Sequence, residues 1–285
     1  MVATMEEVEM TYQRILTIQD ISCVGQCSLT VALPILSACG QETAIVPSAV
    51  LSTHTGGFTG YTFRDLTDDM PAIEAHWAQQ GIDFAALYTG YLGSEKQIDI
   101  VTDIAHKLLK PGAPFIVDPA MADNGALYPG FDGAFVQAMA RLAFSADVIL
   151  PNITEAALIT GMDYRQTYDR AYIDALLSAL ADKGAKTVVL TGVSYAADRT
   201  GVVVFENGEY SYYEHEKIAQ GAHGTGDVYS SAFVGCLMNG RSVMESAQIA
   251  ADFTVRCIKR TVADADHWYG PEFEPELGWL IAQLS

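Results

Sequence analysis

In the last quarter of this sequence, Gly221-Ala-His-Gly224-Thr225-Gly226-Asp227 runs directly into the apolar helical pattern VYSSAFVGCLM. Glycines let a backbone approach a ligand closely, and the first turn of a helix offers free N–H groups and the positive end of its dipole. That setting favours an anion such as a phosphoryl group in transit. A carboxylate there is suited to take the proton of an attacking hydroxyl while the N–H groups stabilise charge developing on the phosphoryl oxygens. The same aspartate could equally serve as a cap for its helix.

Two further segments carry oxygen ligands. Phe115-Ile-Val-Asp118-Pro119-Ala-Met-Ala-Asp123 ends an apolar run on an acidic residue, and Pro151-Asn152-Ile-Thr-Glu155 places an amide and a carboxylate at a strand-to-helix turn. Mg²⁺ uses one or two carboxylates on separate loops together with waters and nucleotide phosphates, which makes Asp118 and Glu155 candidates. Helix-end chemistry offers another reading, with Asn152 or Thr154 as N-cap, Glu155 in a first turn and Asp118 in a turn before proline.

Residues so far apart need a scaffold that gathers them. Short apolar runs at Arg14–Gln19, Glu42–Pro47, Phe84–Thr89, Pro114–Val117, Asp147–Leu150 and Thr187–Thr191 predict strands. Amphipathic stretches at Ser94–Leu109, Gly133–Phe144, Arg170–Lys183, Asp227–Met238 and Val243–Thr261 predict helices. The alternation is that of an α/β fold with a mainly parallel sheet, in which ligands sit at the carboxyl ends of the strands. Asn207-Gly208 between Val202–Glu206 and Tyr210–Glu214 predicts a tight antiparallel hairpin. No repeat or linker divides the chain, so one domain is expected over residues 1–285, with 1–13 as a flexible extension.

Composition narrows the partners. Sixteen Lys and Arg against 35 Asp and Glu give a formal charge of −19, which offers no basic face for nucleic acid. Phosphate binding must then rest on local backbone N–H groups and metal ions. No apolar run is long enough for a membrane helix and the first residues are acidic, so a cytoplasmic protein without a membrane partner is expected. The five cysteines read as buried thiols, with no structural disulfide.

Taken together and in order, the motifs resemble the pyridoxal/pyridoxamine kinases of the ribokinase superfamily over about residues 14 to 260. They are Ile15-Leu-Thr-Ile-Gln19, Ser52-Thr-His54-Thr-Gly56, Thr89-Gly90-Tyr91-Leu-Gly93-Ser94, Asp118-Pro-Ala-Met-Ala-Asp123, Pro151-Asn152-Ile-Thr-Glu155 and Gly224-Thr-Gly-Asp227. The resemblance implies a three-layer fold, a central sheet flanked by helices without a separate lid domain. It implies transfer of the γ-phosphate of ATP to a hydroxymethyl group of vitamin B6, and a homodimer. Asp227 would be the general base and Gly224, Thr225 and Gly226 the anion hole. Asp118 and Glu155 would act around Mg²⁺, Asn152, Glu155 and Thr191 around ATP, and Asp20, Ser48 and Tyr91 around the vitamin. A monovalent cation is a further candidate.

This sequence departs from the family in places. Asp20 stands where a serine commonly meets the ring; it could pair with a protonated ring nitrogen or an amine, or stay in solvent. Ser48-Ala49 replaces Thr-Val and keeps the hydroxyl. His54 lies in a polar loop expected to cover the pocket, with an architectural role, and His223 reads as an exposed loop residue, with contact to phosphate or an aldehyde as the alternative. A hydroxymethylpyrimidine kinase is the nearest alternative, but such proteins carry a glycine-rich run where this chain has Gln19-Asp-Ile-Ser-Cys-Val-Gly25. A non-catalytic vitamin sensor would have no need of the base, and a dinucleotide dehydrogenase would show Gly-x-Gly-x-x-Gly after the first strand.

Overall fold

Strands that are apolar on both faces need cover on both sides, and the computed structural model provides it. It describes residues 13–219, 223–264 and 266–284; the expected extension up to residue 12 and Gly221 of the glycine run lie outside these. The chain runs β1 (Arg14–Ser22), α1 (Leu29–Ala38), β2 (Glu42–Leu51), β3 (Phe63–Asp65), α2 (Met70–Gln79), β4 (Ala86–Thr89), α3 (Glu95–Leu108) and β5 (Phe115–Val117). It continues through β6 (Ala122–Asp123), β7 (Ala126–Leu127), α4 (Gly133–Ser145), β8 (Val148–Ile149), α5 (Ile153–Thr160), α6 (Arg170–Asp182) and β9 (Thr187–Ala196). Last come β10 (Arg199–Glu206), β11 (Glu209–Glu216), α7 (Thr225–Met238), α8 (Val243–Ala263) and α9 (Leu277–Leu284).

Nine strands form one sheet in the order β11-β10-β9-β8-β5-β4-β1-β2-β3. The six from β9 to β2 are parallel, while β10, β11 and β3 run antiparallel at the edges. Successive side chains alternate between faces. Leu16, Leu87, Val117 and Val188 enter one core with Ile104, Leu142 and Leu176, and Ile15, Ala86, Ile116 and Val189 enter the other with Ile35, Phe233 and Phe253. Helices α2 to α6 cover the first face, and α1, α7, α8 and α9 the second. This is the three-layer ribokinase-like α/β fold. No helix among the described residues is long and apolar enough to cross a membrane.

Every predicted strand and helix is present within a few residues. At the hairpin, Asn207 and Gly208 both have positive φ, 54° and 83°, which matches the twist of the strands they join. Six of the described elements, α1, α2, α9, β3, β6 and β7, have no counterpart in the sequence reading. Helix α1 carries Pro34 inside it and holds because Val31, Ile35 and Leu36 are buried against the sheet and α7, so packing outweighs propensity. Strand β3 is a three-residue exposed edge, too short for a pattern. The thiols are only partly as expected: Cys39, Cys236 and Cys257 are buried, but Cys23 is exposed and Cys27 half-buried, because both lie in the β1–α1 connection.

Candidate active site

Carboxyl ends of parallel strands converge where strand order reverses. Here the chain leaves β1 for β2 on one side and returns as β4 on the other, so the crevice opens at the ends of β1 and β4. Asp20 lies at the first end and Tyr91 just beyond the second. Asp118 follows β5, Asn152 follows β8 and Thr191 lies in β9, so five strands bring residues to the same rim.

Helix α7 points its N-terminus at this rim. Gly224 is its N-cap with φ +87°, and a side chain there would put Cβ 1.9 Å from the Gln26 carbonyl oxygen, so only glycine fits. Thr225, Gly226 and Asp227 form the first turn, whose N–H groups a helix leaves unpaired. No side chain caps the helix, so the capping reading of Asp227 fails. Burial raises the Asp227 carboxyl to about 7; the charges of Asp118 and Asp20 add to the rise, and the Ser28 N–H facing it pulls back part way. A carboxyl near 7 is matched to proton transfer at neutral pH.

Asp118 is buried. Its Oδ2 accepts from Ser230 Oγ at 2.7 Å and its Oδ1 from the Ala120 N–H at 3.1 Å. Ser230 stands three residues beyond Asp227 on α7, so one helix face holds the base and fixes its neighbouring carboxylate. Glu155 is pushed upward by burial and then by Asp118. Its oxygens accept the Met121 N–H at 3.0 Å and the Asn152 N–H at 2.9 Å, while Asn152 Oδ1 accepts the Glu155 N–H at 2.9 Å. The expected capping box is therefore real, and the same glutamate faces Asp118; cap and ligand are compatible roles. Asn152 Nδ2 also donates to the Ala122 carbonyl at 2.8 Å. Residues 152 and 191 form a parallel bridge, which sets Thr191 beside the cap. Among the described residues no three His, Cys, Asp or Glu side chains form a metal cluster, so the donor set is two carboxylates that repel each other, suited to a cation completed by phosphate oxygens and water.

On the crevice side, Asp20 does not stay in solvent: it is 5% exposed, and its Oδ2 accepts from Ser22 Oγ at 2.9 Å. Ser48 is fully buried and its Oγ donates to the Tyr91 carbonyl at 3.2 Å, so its hydroxyl holds Tyr91 in place. The Tyr91 ring lies 5.6 Å from Phe131, and its hydroxyl is pushed up to about 12 by burial and by Asp20.

A cover crosses the crevice. His54 Nδ1 accepts the Gly56 N–H at 3.1 Å, which leaves Nε2 to donate to the Tyr269 carbonyl at 2.9 Å. Phe58 packs on His54 at 5.0 Å and on Trp268 at 4.6 Å, and the Gln26 N–H donates to the same Tyr269 carbonyl. His54 is thus an architectural clamp between the β2–β3 loop and the segment before α9. His223 is exposed and lies over Gly56.

Two residues that the sequence reading missed take part. Ser230 carries a signal, the i+3 spacing from Asp227. Ser28 carries none, since its role follows from a backbone at φ 55°, ψ −131° that a non-glycine residue adopts at a cost of about 1–3 kcal/mol.

With this geometry in view, the sequence pattern of the phosphomethylpyrimidine kinase family matches residues 35–272. The chain belongs to this family. Among family relatives, the pyridoxine kinase of Bacillus subtilis is 34% identical over 201 residues, covering 68% of this chain and 71% of that protein. A Bacteroides thetaiotaomicron protein described as a phosphomethylpyrimidine kinase, solved with pyridoxal, is 36% identical with a TM-score of 0.89, covering 94% of this chain and 96% of that one. The pyridoxal kinase of Lactobacillus plantarum is 33% identical with a TM-score of 0.88, covering 95% and 97%. Within the phosphomethylpyrimidine kinase family this chain therefore stands with the vitamin B6 kinases of the ribokinase superfamily, phosphotransferases that act on an alcohol group.

Proposed function

We propose that this chain transfers the γ-phosphate of ATP to the 5′-hydroxymethyl group of pyridoxal, pyridoxamine or pyridoxine, the salvage step that yields the phosphorylated vitamin. The observation that supports this reading most is the Asp227 carboxyl. It sits in the first turn of α7, caps nothing, and is raised to about 7. In this reading Asp227 takes the hydroxymethyl proton as the substrate oxygen bonds to the γ-phosphorus, and the bond from that phosphorus to the β,γ-bridging oxygen breaks to release ADP. The N–H groups after Gly224 stabilise the charge on the transferred oxygens. Asp118 and Glu155 would hold Mg²⁺, which when bound neutralises phosphate charge in a chain whose global field opposes it. Asn152, Glu155 and Thr191 border the nucleotide side, and Asp20, Tyr91 and, through Tyr91, Ser48 border the vitamin. The His54 clamp excludes water that would otherwise hydrolyse ATP.

Assembly as a homodimer and a monovalent cation beside Mg²⁺ belong to the same proposal and rest on the resemblance, while a cytoplasmic location and one domain over the chain belong to it on the sequence pattern. The family description keeps a hydroxymethylpyrimidine as the second substrate to test. A coupled ADP-release assay with Mg-ATP against pyridoxal, pyridoxamine, pyridoxine and hydroxymethylpyrimidine, with a no-acceptor control, decides between them. A vitamin-dependent signal is the expected result. A signal with the pyrimidine alone moves the assignment to thiamine precursors, and binding without turnover moves it to a sensor.

A further inference from the structure

The vitamin side of the crevice holds a carboxylate for which the transfer chemistry has no use. Asp20 lies at the switch point between β1 and β4, at an irregularity in the strand pairing: Gln19 faces Pro47 and Ile21 faces Val50, so Asp20 stands opposite two residues. Such bulges re-aim a side chain and recur beside active sites. The carboxylate is 5% exposed, and the groups that face it are Ser22 on its own strand, Ser28 and Cys27 on the β1–α1 connection, His54 on the cover, Tyr91 after β4 and Asp227 on α7.

None of these is a cation at neutral pH. His54 uses Nδ1 as an acceptor for the Gly56 N–H, which fixes it as neutral, and no lysine or arginine reaches Asp20 among the described residues. Burying a carboxylate without a counter-charge is costly, and two serine hydroxyls offset only part of that cost. A side chain kept in that state at the mouth of a crevice, next to an aromatic ring, is completed by a ligand that brings the positive charge.

Resting on the B6 kinase reading, we propose that Asp20 recognises the vitamin through a cationic nitrogen, either the protonated ring nitrogen or the 4′-aminomethyl ammonium, so that this enzyme takes its substrate as a cation. Tyr91 then lies against the ring whose charge Asp20 neutralises.

The test compares the wild-type chain with Asp20→Asn and Asp20→Ser. It measures kcat and KM for pyridoxal, pyridoxamine and pyridoxine with Mg-ATP, and, separately, binding of each vitamer without nucleotide. Loss of a charge-assisted contact is expected to raise KM and weaken binding by roughly 10- to 100-fold, with the KM for ATP unchanged as the control for folding. If the ammonium is the partner, pyridoxamine loses that factor more than pyridoxine does; if the ring nitrogen is the partner, all three lose it alike and the loss shrinks as pH rises. Unchanged KM and binding for every vitamer in both variants overturns the proposal. Failure of the kinase reading looks different, because the wild-type chain would then release no ADP with any vitamer.

Discussion

Replacing Asp227 with asparagine removes one negative charge from a site that resists ionisation while keeping a side-chain oxygen toward the Ser28 N–H. An aspartate in the unfolded chain loses its proton near 3.8, whereas the folded carboxyl keeps it to about 7. Because the folded value lies above the unfolded one, ionisation disfavours the folded state. The penalty is absent below pH 4, grows through the interval and is complete above pH 7. At about 1.4 kcal/mol per pH unit the full penalty is on the order of 4 kcal/mol, and solvent at the half-buried residue trims it to about 2–3 kcal/mol.

The Asp227→Asn chain should therefore be more stable than wild type at pH 8, by roughly 4–6 °C in melting temperature for a chain of this size. That gain should fade toward zero at pH 4, while turnover falls by about 10² or more through loss of the base. Thermal melts of both chains from pH 4 to 8, paired with the ADP-release assay, measure the two effects on the same samples. A gain that is the same at all pH values would refute the charge argument. Retention of turnover within about threefold would refute the base.

Gly224→Ala forces a Cβ against the Gln26 carbonyl at positive φ; it should cost about 1–3 kcal/mol and depress turnover more than vitamin binding, and a variant that melts and turns over like wild type contradicts the assigned fit. Burial and mutual repulsion hold a proton on the Asp118–Glu155 pair that a cation must displace, so the Mg²⁺ concentration for half-maximal rate should rise by up to about tenfold per pH unit from pH 8 to 6. A requirement independent of pH would mean the pair does not hold the ion. His54→Ala removes two hydrogen bonds of the cover worth about 1 kcal/mol each, and should lower the melting temperature by a few degrees while raising ATP hydrolysis in the absence of vitamin. Hydrolysis that stays at the wild-type level would separate the clamp from water exclusion.

What could be read along the chain is what depends on neighbours in sequence. The alternation of apolar runs and amphipathic stretches encodes strands and helices, Asn207-Gly208 encodes its turn, and the glycines before Asp227 encode a helix N-terminus open to an anion. Even the capping box of Asn152 and Glu155 is a three-residue signal. Helix α1 escaped because Pro34 speaks against a helix locally and only its burial against α7 answers it.

The site itself was decided by distance through space. Ser230 and Asp118 are 112 residues apart and share a 2.7 Å hydrogen bond, and Tyr269 closes onto His54 across 215 residues. Asp20 could be named from the sequence as an unusual residue at the end of the first strand, but not as a buried one. The crevice that removes it from water is built from the ends of β1 and β4, the cover and the first turn of α7. Protonation follows the same rule: the sequence supplied the carboxylates, while the shift of Asp227 to about 7 comes from desolvation and from Asp118 and Asp20, neither of them its sequence neighbour. Desolvation and Coulomb repulsion are properties of the folded surroundings, which is why the chain specifies the groups and the tertiary structure specifies what they can do.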